Sequence, residues 1–467
     1  MKGILGAVGL VSLLCQNSLA IQVSLDDDDS IKSAASTLAF GLMKYYTGNN
    51  TGDVPGNLPS PYYWWEAGAL FGTMVDYWFL TKDESYTDVI TQALLHQTGD
   101  DRDYMPANQT RTEGNDDQGF WAMAAMSAAE NKFPNPPSDQ PQWLALAQAV
   151  FNEYTTRWDS ATCNGGLRWQ IFTFNNGYNY KNSIANGCFF NIAARLARFT
   201  GNQTYADWAQ RIFEWEQGVN LITSDYRIYD GAGDDNGANC TNPDTIQWTY
   251  NAGIYMHGSA IMYNITTGQT QDTWKQRLDG IIEEATTAFF NSSIMVEQAC
   301  EDANLCDTDQ KSFKGYLARW MAGTTQVAPY TFDTIMPLLQ KTATAAAQAC
   351  TGSPSTGFNG EPGTACGFRW TTGGFDGQVG IGQQMSGLSA VMYTLAKRAT
   401  VGGGDSTAPV TADTGGTSQG DPDAGVASTL DKMPTLAPIT TRDKVAAGFL
   451  TSAIALGVVG GGVFAVK

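Results

Sequence analysis

Histidine is almost missing from this sequence: only His96 and His257 occur in 467 residues. Two imidazoles leave little room for a multi-histidine metal site or a histidine-driven nucleophile. Positive charge is also short, with 27 Lys and Arg against 46 Asp and Glu and a net charge of −19. Such a surface repels phosphate backbones and anionic lipid, so nucleic acid is excluded as a partner and a neutral substrate is favoured. Convincing strand alternation is scarce between residues 30 and 399. Aromatic residues are absent from 402 to 442, and long apolar runs occur only at the two ends.

Those ends read as addresses. Lys2, an apolar run over residues 3–14 and then Ser18-Leu19-Ala20 form an export signal cleaved after about residue 20. At the other end, residues 445–467 are apolar and follow a Gly/Ser/Thr/Pro-rich linker over residues 401–444. Small residues, a polar spacer and an apolar tail make a glycosylphosphatidylinositol (GPI) addition signal, whose tail is removed. The expected attachment site lies between Gly420 and Ser428, with Gly425 and Ser428 best placed. The alternative is a single-pass helix, but only Lys467 follows the apolar run where a stop-transfer sequence carries several basic residues. The chain is thus expected to be exported and held on the outer face of the plasma membrane or in the cell wall, as a monomer. Asn-x-Ser/Thr acceptors at Asn49, Asn108, Asn202, Asn239, Asn264 and Asn291 suit a secreted glycoprotein. With Cys15 removed, seven cysteines remain in an oxidising compartment. Cys300 with Cys306 and Cys350 with Cys366 close short loops and are the expected disulfides, leaving Cys188 as the best candidate for a buried free thiol.

Between the ends, residues 21–400 read as one all-α domain. Twelve helical patterns fall into six pairs. The first members, at 31–46, 86–95, 142–158, 205–221, 273–290 and 332–348, carry charge on one face. The second members begin near Trp64, Asp117, Ser183, Thr249, Phe313 and Gln378 and run almost free of charge, as buried helices do. Their starts recur every 52 to 67 residues or so. Six outer and six inner helices predict a closed (α/α)6 barrel, with an open solenoid as the alternative.

Aromatic residues gather before or inside the inner helices: Tyr62-Tyr-Trp-Trp65, Trp121, Tyr178, Tyr180, Trp248, Tyr250, Trp320 and Trp370. Flat rings stack on the apolar faces of sugars, although each one alone reads as readily as core packing. Asp116 and Asp117 stand side by side at the start of an inner helix otherwise uncharged until Glu130. Two carboxylates this close cannot both ionise freely, so one becomes an acid and the other a base. Glycoside cleavage needs that division of labour, while helix capping explains a lone Asp pair equally well. A second pair, Asp234-Asp235, lies in a Gly-rich loop that could be a solvated turn, a calcium loop or a cleft wall. It lacks the spaced ligands of an EF-hand, so neither a metal nor a cofactor is expected.

Five segments in order, Tyr62-Tyr-Trp-Trp-Glu-Ala-Gly68, Gly114-Asn-Asp-Asp-Gln-Gly-Phe-Trp121, Tyr180-Lys-Asn-Ser-Ile-Ala-Asn-Gly187, Gln247-Trp-Thr-Tyr-Asn-Ala-Gly253 and Ser312-Phe-Lys-Gly-Tyr-Leu-Ala-Arg319, resemble glycoside hydrolase family 76, and more narrowly its fungal, GPI-anchored "defective cell wall" branch. The resemblance implies an (α/α)6 fold and retaining chemistry on α-1,6-mannosides, with Asp116 as nucleophile and Asp117 as general acid/base. It further implies that Asp230, Trp248, Tyr250 and Asn251 line the donor side of the cleft and that Lys181, Asn182 and Arg319, which match family motifs, bind substrate without separately assigned roles; the aromatic reading adds Trp64, Trp65 and Trp121 as substrate contacts. The donor would be an α-mannoside glycan, either the GPI core or α-1,6-mannan. In the fungal branch it also implies transfer onto wall β-glucan as acceptor. Two other readings stay open: a wall protein that binds mannan without turnover, and a polysaccharide lyase on the same fold.

Overall fold

We describe a computed structural model of the chain over residues 21–234, 237, 239–397, 408–426 and 440–451, the last without 443 and 450. The expected signal segment, Ser428 and most of the apolar tail lie outside these residues. No helix among the described residues is long and apolar enough to cross a membrane.

Among the described residues up to 397, twelve α-helices alternate as the sequence pattern requires. The inner six are α2 (Trp64–Thr81), α4 (Asn115–Glu130), α6 (Ser183–Thr200), α8 (Thr249–Ile265), α10 (Phe313–Val327) and α12 (Ile381–Met392). Each packs on the next, and α12 returns to α2, which closes the ring into an (α/α)6 barrel. Outside them run α1 (Asp28–Met43), α3 (Thr87–His96), α5 (Trp143–Arg157), α7 (Gln203–Gly218), α9 (Gly268–Phe289) and α11 (Phe332–Ala349). Small residues let the inner helices approach closely. A Cβ on Gly68 would meet the Trp121 ring at 2.9 Å, and one on Gly258 would meet Phe190 at 2.3 Å. The apolar inner faces and the inward stripes of the outer ring form one continuous core.

The inner helices start at the same end of the barrel, so the loops before them build one rim. A small antiparallel sheet sits there: β1 (Tyr180–Asn182), β2 (Gly231–Gly233) and β3 (Pro243–Asp244), with Lys181 opposite Ala232. A two-stranded ribbon, β4 (Phe290–Asn291) and β5 (Ile294–Met295), follows α9. Disulfides join Cys300 to Cys306 and Cys350 to Cys366, and a third, not anticipated, joins Cys163 to Cys240 across 77 residues. Cys188 is free and buried. All six acceptor asparagines are exposed.

The low-complexity stretch taken for a linker differs most from expectation. Residues 408–426 lie along the outer wall instead of leaving it. Val410 N–H donates to the Glu130 carbonyl, and Ser418 Oγ accepts from Leu144 N–H at 3.0 Å. Its glycines make this possible by close approach. A Cβ on Gly416 would stand 2.6 Å from Phe199, and one on Gly425, whose φ is +76°, would stand 2.6 Å from the Ala149 carbonyl.

Candidate active site

The rim encloses a cleft of about 570 Å³ at the N-terminal end of the inner helices. Its floor is the first turn of α4. Gly114 caps that helix in extended backbone, and Asp117 Oδ2 reaches back to accept the Gly114 N–H at 2.6 Å. Glu66 occupies the same third position of α2 and accepts from Tyr63 N–H at 2.8 Å. Capping accounts for one Glu66 oxygen and leaves the other buried without a partner, whereas Asp117 caps its helix and also lines the cleft. Asp116 stands beside it, with Oδ1 accepting Asp117 N–H at 3.1 Å and Oδ2 facing the Asn182 amide at 3.4 Å. Segment 168–170 crosses in front and fixes the turn: Asn115 N–H donates to the Trp169 carbonyl at 2.8 Å.

Burial sets the protonation of this floor. It raises Asp116 well above the ordinary carboxylate range, reinforced by Asp117, and lifts Asp117 to about 6. Neighbouring like charge makes the two titrate as a unit that retains one proton into the weakly acidic range. Two further carboxylates enter the cleft that the sequence did not single out. Glu113, just before the cap, is buried with neither oxygen hydrogen-bonded among the described residues, and burial and Asp117 push it well upward. Asp309 stands in the loop before α10, where burial and Asp307 raise it to about 7. The only sequence signal for either was its place just ahead of an inner helix.

The walls are aromatic. Trp65 packs on Phe120 with ring centroids 4.7 Å apart, and Tyr250 stacks on Phe313 at 3.8 Å. Tyr63 and Trp169 stand at the mouth, 60% and 38% exposed. Asp230 is held by two donors, Tyr180 Oη at 2.7 Å and Trp248 Nε1 at 2.9 Å. Among the described residues no Lys, Arg or His lines the cleft.

Trp64, Trp65, Asn182, Asp230 and Tyr250 thus join Asp116 and Asp117 in the cleft. Five other expected substrate contacts do not. Lys181 is completely buried, its ammonium donating to the carbonyls of Asp159, Thr162 and Gly165 at 3.0, 2.8 and 2.6 Å. It is a staple for the loop behind β1, because one buried ammonium satisfies three carbonyls of that loop at once. Arg319 lies toward the opposite end of the barrel, paired with Asp76 at 2.7 Å and donating to the Gly72 carbonyl. Trp121 is buried against Trp64, Phe71 and Tyr104. Asn251 is buried beneath the rim, and Trp248 acts through Asp230 without lining the cavity. Trp320 and Trp370 belong to the core. Motif spacing placed Lys181, Trp248 and Asn251 at the cleft end of their elements, where side-chain direction turns them away, whereas Trp121 and Arg319 lie too far along their helices to reach it.

Three comparisons bear on the whole architecture. The profile of glycosyl hydrolase family 76 matches residues 30–408. The chain is 47% identical over 458 residues to the mannan endo-1,6-alpha-mannosidase DCW1 of Saccharomyces cerevisiae, covering 97% of each chain. It superposes on the crystal structure of Dfg5 from Chaetomium thermophilum in complex with glucosamine with a TM-score of 0.80, at 47% identity, covering 87% of this chain and 98% of that one. The fold extends to a bacterial alpha-1,6-mannanase of Salegentibacter sp. HEL1_6, at 16% identity and a TM-score of 0.61, covering 78% of this chain and 99% of that one. That structure is an inactive variant with two adjacent aspartates changed to asparagine, bound to alpha-1,6-mannotriose. With a profile matching most of its length and a relative at nearly half identity end to end, the chain belongs to glycosyl hydrolase family 76.

Proposed function

We propose that this protein is a retaining enzyme of the fungal cell surface that opens α-1,6-mannosidic bonds and passes the mannosyl unit to a sugar hydroxyl. One observation carries the reading: Asp116 and Asp117 share the floor of an aromatic cleft at the start of α4. In this account Asp117 gives its proton to the glycosidic oxygen as an Asp116 oxygen attacks the anomeric carbon. The C–O bond breaks, and a mannosyl ester of Asp116 forms. Asp117, now ionised, takes the proton of an incoming hydroxyl, whose oxygen displaces Asp116 and restores the α configuration. Two N–H donors, from Asn182 and its own neighbour's backbone, direct the Asp116 oxygens for attack; burial favours the pair's shared proton on Asp116 in the free protein, so in this account it passes to Asp117 as the donor binds. The N-terminus of α4 eases the ionised state of whichever partner holds the charge.

The donor is a GPI-core mannose or α-1,6-mannan, and β-glucan is the acceptor. The glucosamine bound by the Chaetomium relative supports a donor containing an amino sugar, and a cleft lined by five carboxylates and no cation suits one. The same lining speaks against a lyase, which needs cations around a uronate. The patterns at the two ends of the sequence support export and GPI anchoring, with the mature chain at the membrane or in the wall. The test is incubation with α-1,6-linked mannose oligosaccharides, with and without a β-glucan oligosaccharide, followed by mass spectrometry. Hybrid products that vanish in Asp116→Asn support transfer. Shortened mannosides alone reduce the activity to hydrolysis, and full activity in Asp116→Asn removes it from the nucleophile's role.

A further inference from the structure

The segment 408–426 bears on how the barrel is presented. It starts at the far end of the barrel, where Arg198 donates to the Pro409 carbonyl at 2.8 Å and Val410 N–H donates to Glu130, the last residue of α4. It then climbs α5 in register. Asn135 donates to Thr417 at 3.1 Å, Ser418 accepts from Leu144 N–H, and Asp421 N–H donates to Gln148 Oε1 at 2.7 Å. Higher up, the Asn152 amide donates to the carbonyls of Pro422 and Ala424, both at 2.8 Å. Ser418 takes a further part: Gln142 caps α5 without a side-chain bond, and Ser418 satisfies one of the open first-turn N–H groups in its place. As a result α5 is buried at ten of its 15 positions, against seven of 16 in its outer neighbour α7.

The direction of the climb matters. At its C-terminal end α5 touches the catalytic turn, because Arg157 donates to the Asn115 side chain at 3.0 Å. From Asn152 to Arg157 is five residues, about 7.5 Å of helix. The contact at Asn152 therefore stands within about two turns of the level of Asp116, and the segment reaches it from the opposite end of the barrel.

We propose that residues 408–426 are an orienting strap that turns the cleft mouth toward the membrane carrying the chain's C-terminal anchor. This rests on the GPI reading above, and it holds whether Gly425 or Ser428 carries the anchor, since both follow the contact at Asn152. A flexible tether from the far end would let the barrel tumble, whereas a docked one fixes the cleft near a membrane-borne donor and raises that donor's effective concentration.

The test places a fluorophore on the full-length anchored protein at Asn176→Cys, in the exposed loop beside Trp169 and Gln170, or at Gln269→Cys, at the exposed start of α9 at the opposite end. The one free thiol among the described residues, Cys188, is buried and does not compete. The protein is reconstituted in phosphatidylcholine vesicles bearing nitroxide headgroups. The strap predicts quenching at position 176 and not at 269. Gly416→Leu with Gly420→Leu, where a Cβ would already stand 2.6 Å from Phe199 and from Gln148, is expected to equalise the two labels. It should also slow turnover of a vesicle-borne mannoside about tenfold while leaving that of soluble mannosides unchanged. Unchanged soluble turnover also shows that the double variant folds; Asn135→Ala with Asn152→Ala, on the barrel side, is the second route to the same release. Equal quenching in the intact protein, or stronger quenching at 269, overturns the orientation alone. A chain that never enters the vesicle fraction overturns the anchor reading beneath it.

Discussion

Replacing Lys181 by methionine separates a structural lysine from a substrate-binding one. The side chains match in length, so the change removes charge and donors and little volume. Three carbonyls, of Asp159, Thr162 and Gly165, lose the donor within 3.0 Å, and the Asp159 carboxylate loses an ion-pair partner at 3.2 Å. A buried polar group left without a partner costs about 1–3 kcal/mol, and a buried ion pair stripped of one member about 3–5 kcal/mol. Asp159 keeps Arg168 at 2.7 Å, so part of its loss is recovered. The Thr162 carbonyl likewise keeps the Gly165 N–H at 3.2 Å, so the loss falls chiefly on the carbonyls of Asp159 and Gly165. The combined cost is about 3–5 kcal/mol, a large share of the roughly 5–15 kcal/mol that holds an ordinary domain folded. Guanidinium unfolding followed by tryptophan fluorescence should show the midpoint falling with an unchanged slope. Below the transition, KM for a mannose oligosaccharide should stay near that of the parent. A variant with the parental midpoint and a raised KM would refute the reasoning and return Lys181 to the cleft.

Arg319→Leu leaves Asp76 buried and should lower stability by about 3–5 kcal/mol without changing the substrate's KM, read by unfolding and steady-state kinetics. Cys188→Ala should keep full activity, because the thiol is buried in the core and no step calls on it; a thermal melt should show only the small loss expected of a buried one-atom deletion. Tyr180→Phe removes one of the two donors holding Asp230 and should affect kcat/KM more than stability. Stability should rise as pH falls from 8 toward 5. Burial raises Asp117 to about 6, Asp309 to about 7 and Glu66 to about 8, so the folded chain binds more protons than the unfolded one across that window. Each proton taken up on folding adds about 1.4 kcal/mol per pH unit of acidification. A melting temperature that fell on acidification from pH 8 to 5 would contradict these shifts.

The fold was legible because helical periodicity is local and the inner helices have almost no polar face. The pattern gave the sixth inner helix a start near Gln378, and the structure begins it at Ile381, after Gly380. The Asp pair was legible because charge at the head of an apolar helix has few explanations. The rim was not. Glu113 and Asp309 sit in loops, where no period reports direction, and Lys181 and Arg319 carry polar groups whose partners lie far off in sequence. Cys163 and Cys240 join through tertiary folding alone. The strap was hidden for another reason: Gly416, Gly420 and Gly425 read as flexibility, yet each is small because a neighbour lies against it.

The account stands most directly on a covalent mannosyl-enzyme at Asp116. A slow fluorinated mannoside that forms the ester faster than it is released, followed by peptide mapping, should place one sugar on the peptide bearing Asp116, and proton NMR of the first product should show the α anomer. No adduct together with a β anomer would mean direct displacement by water, and the retaining mechanism would be wrong.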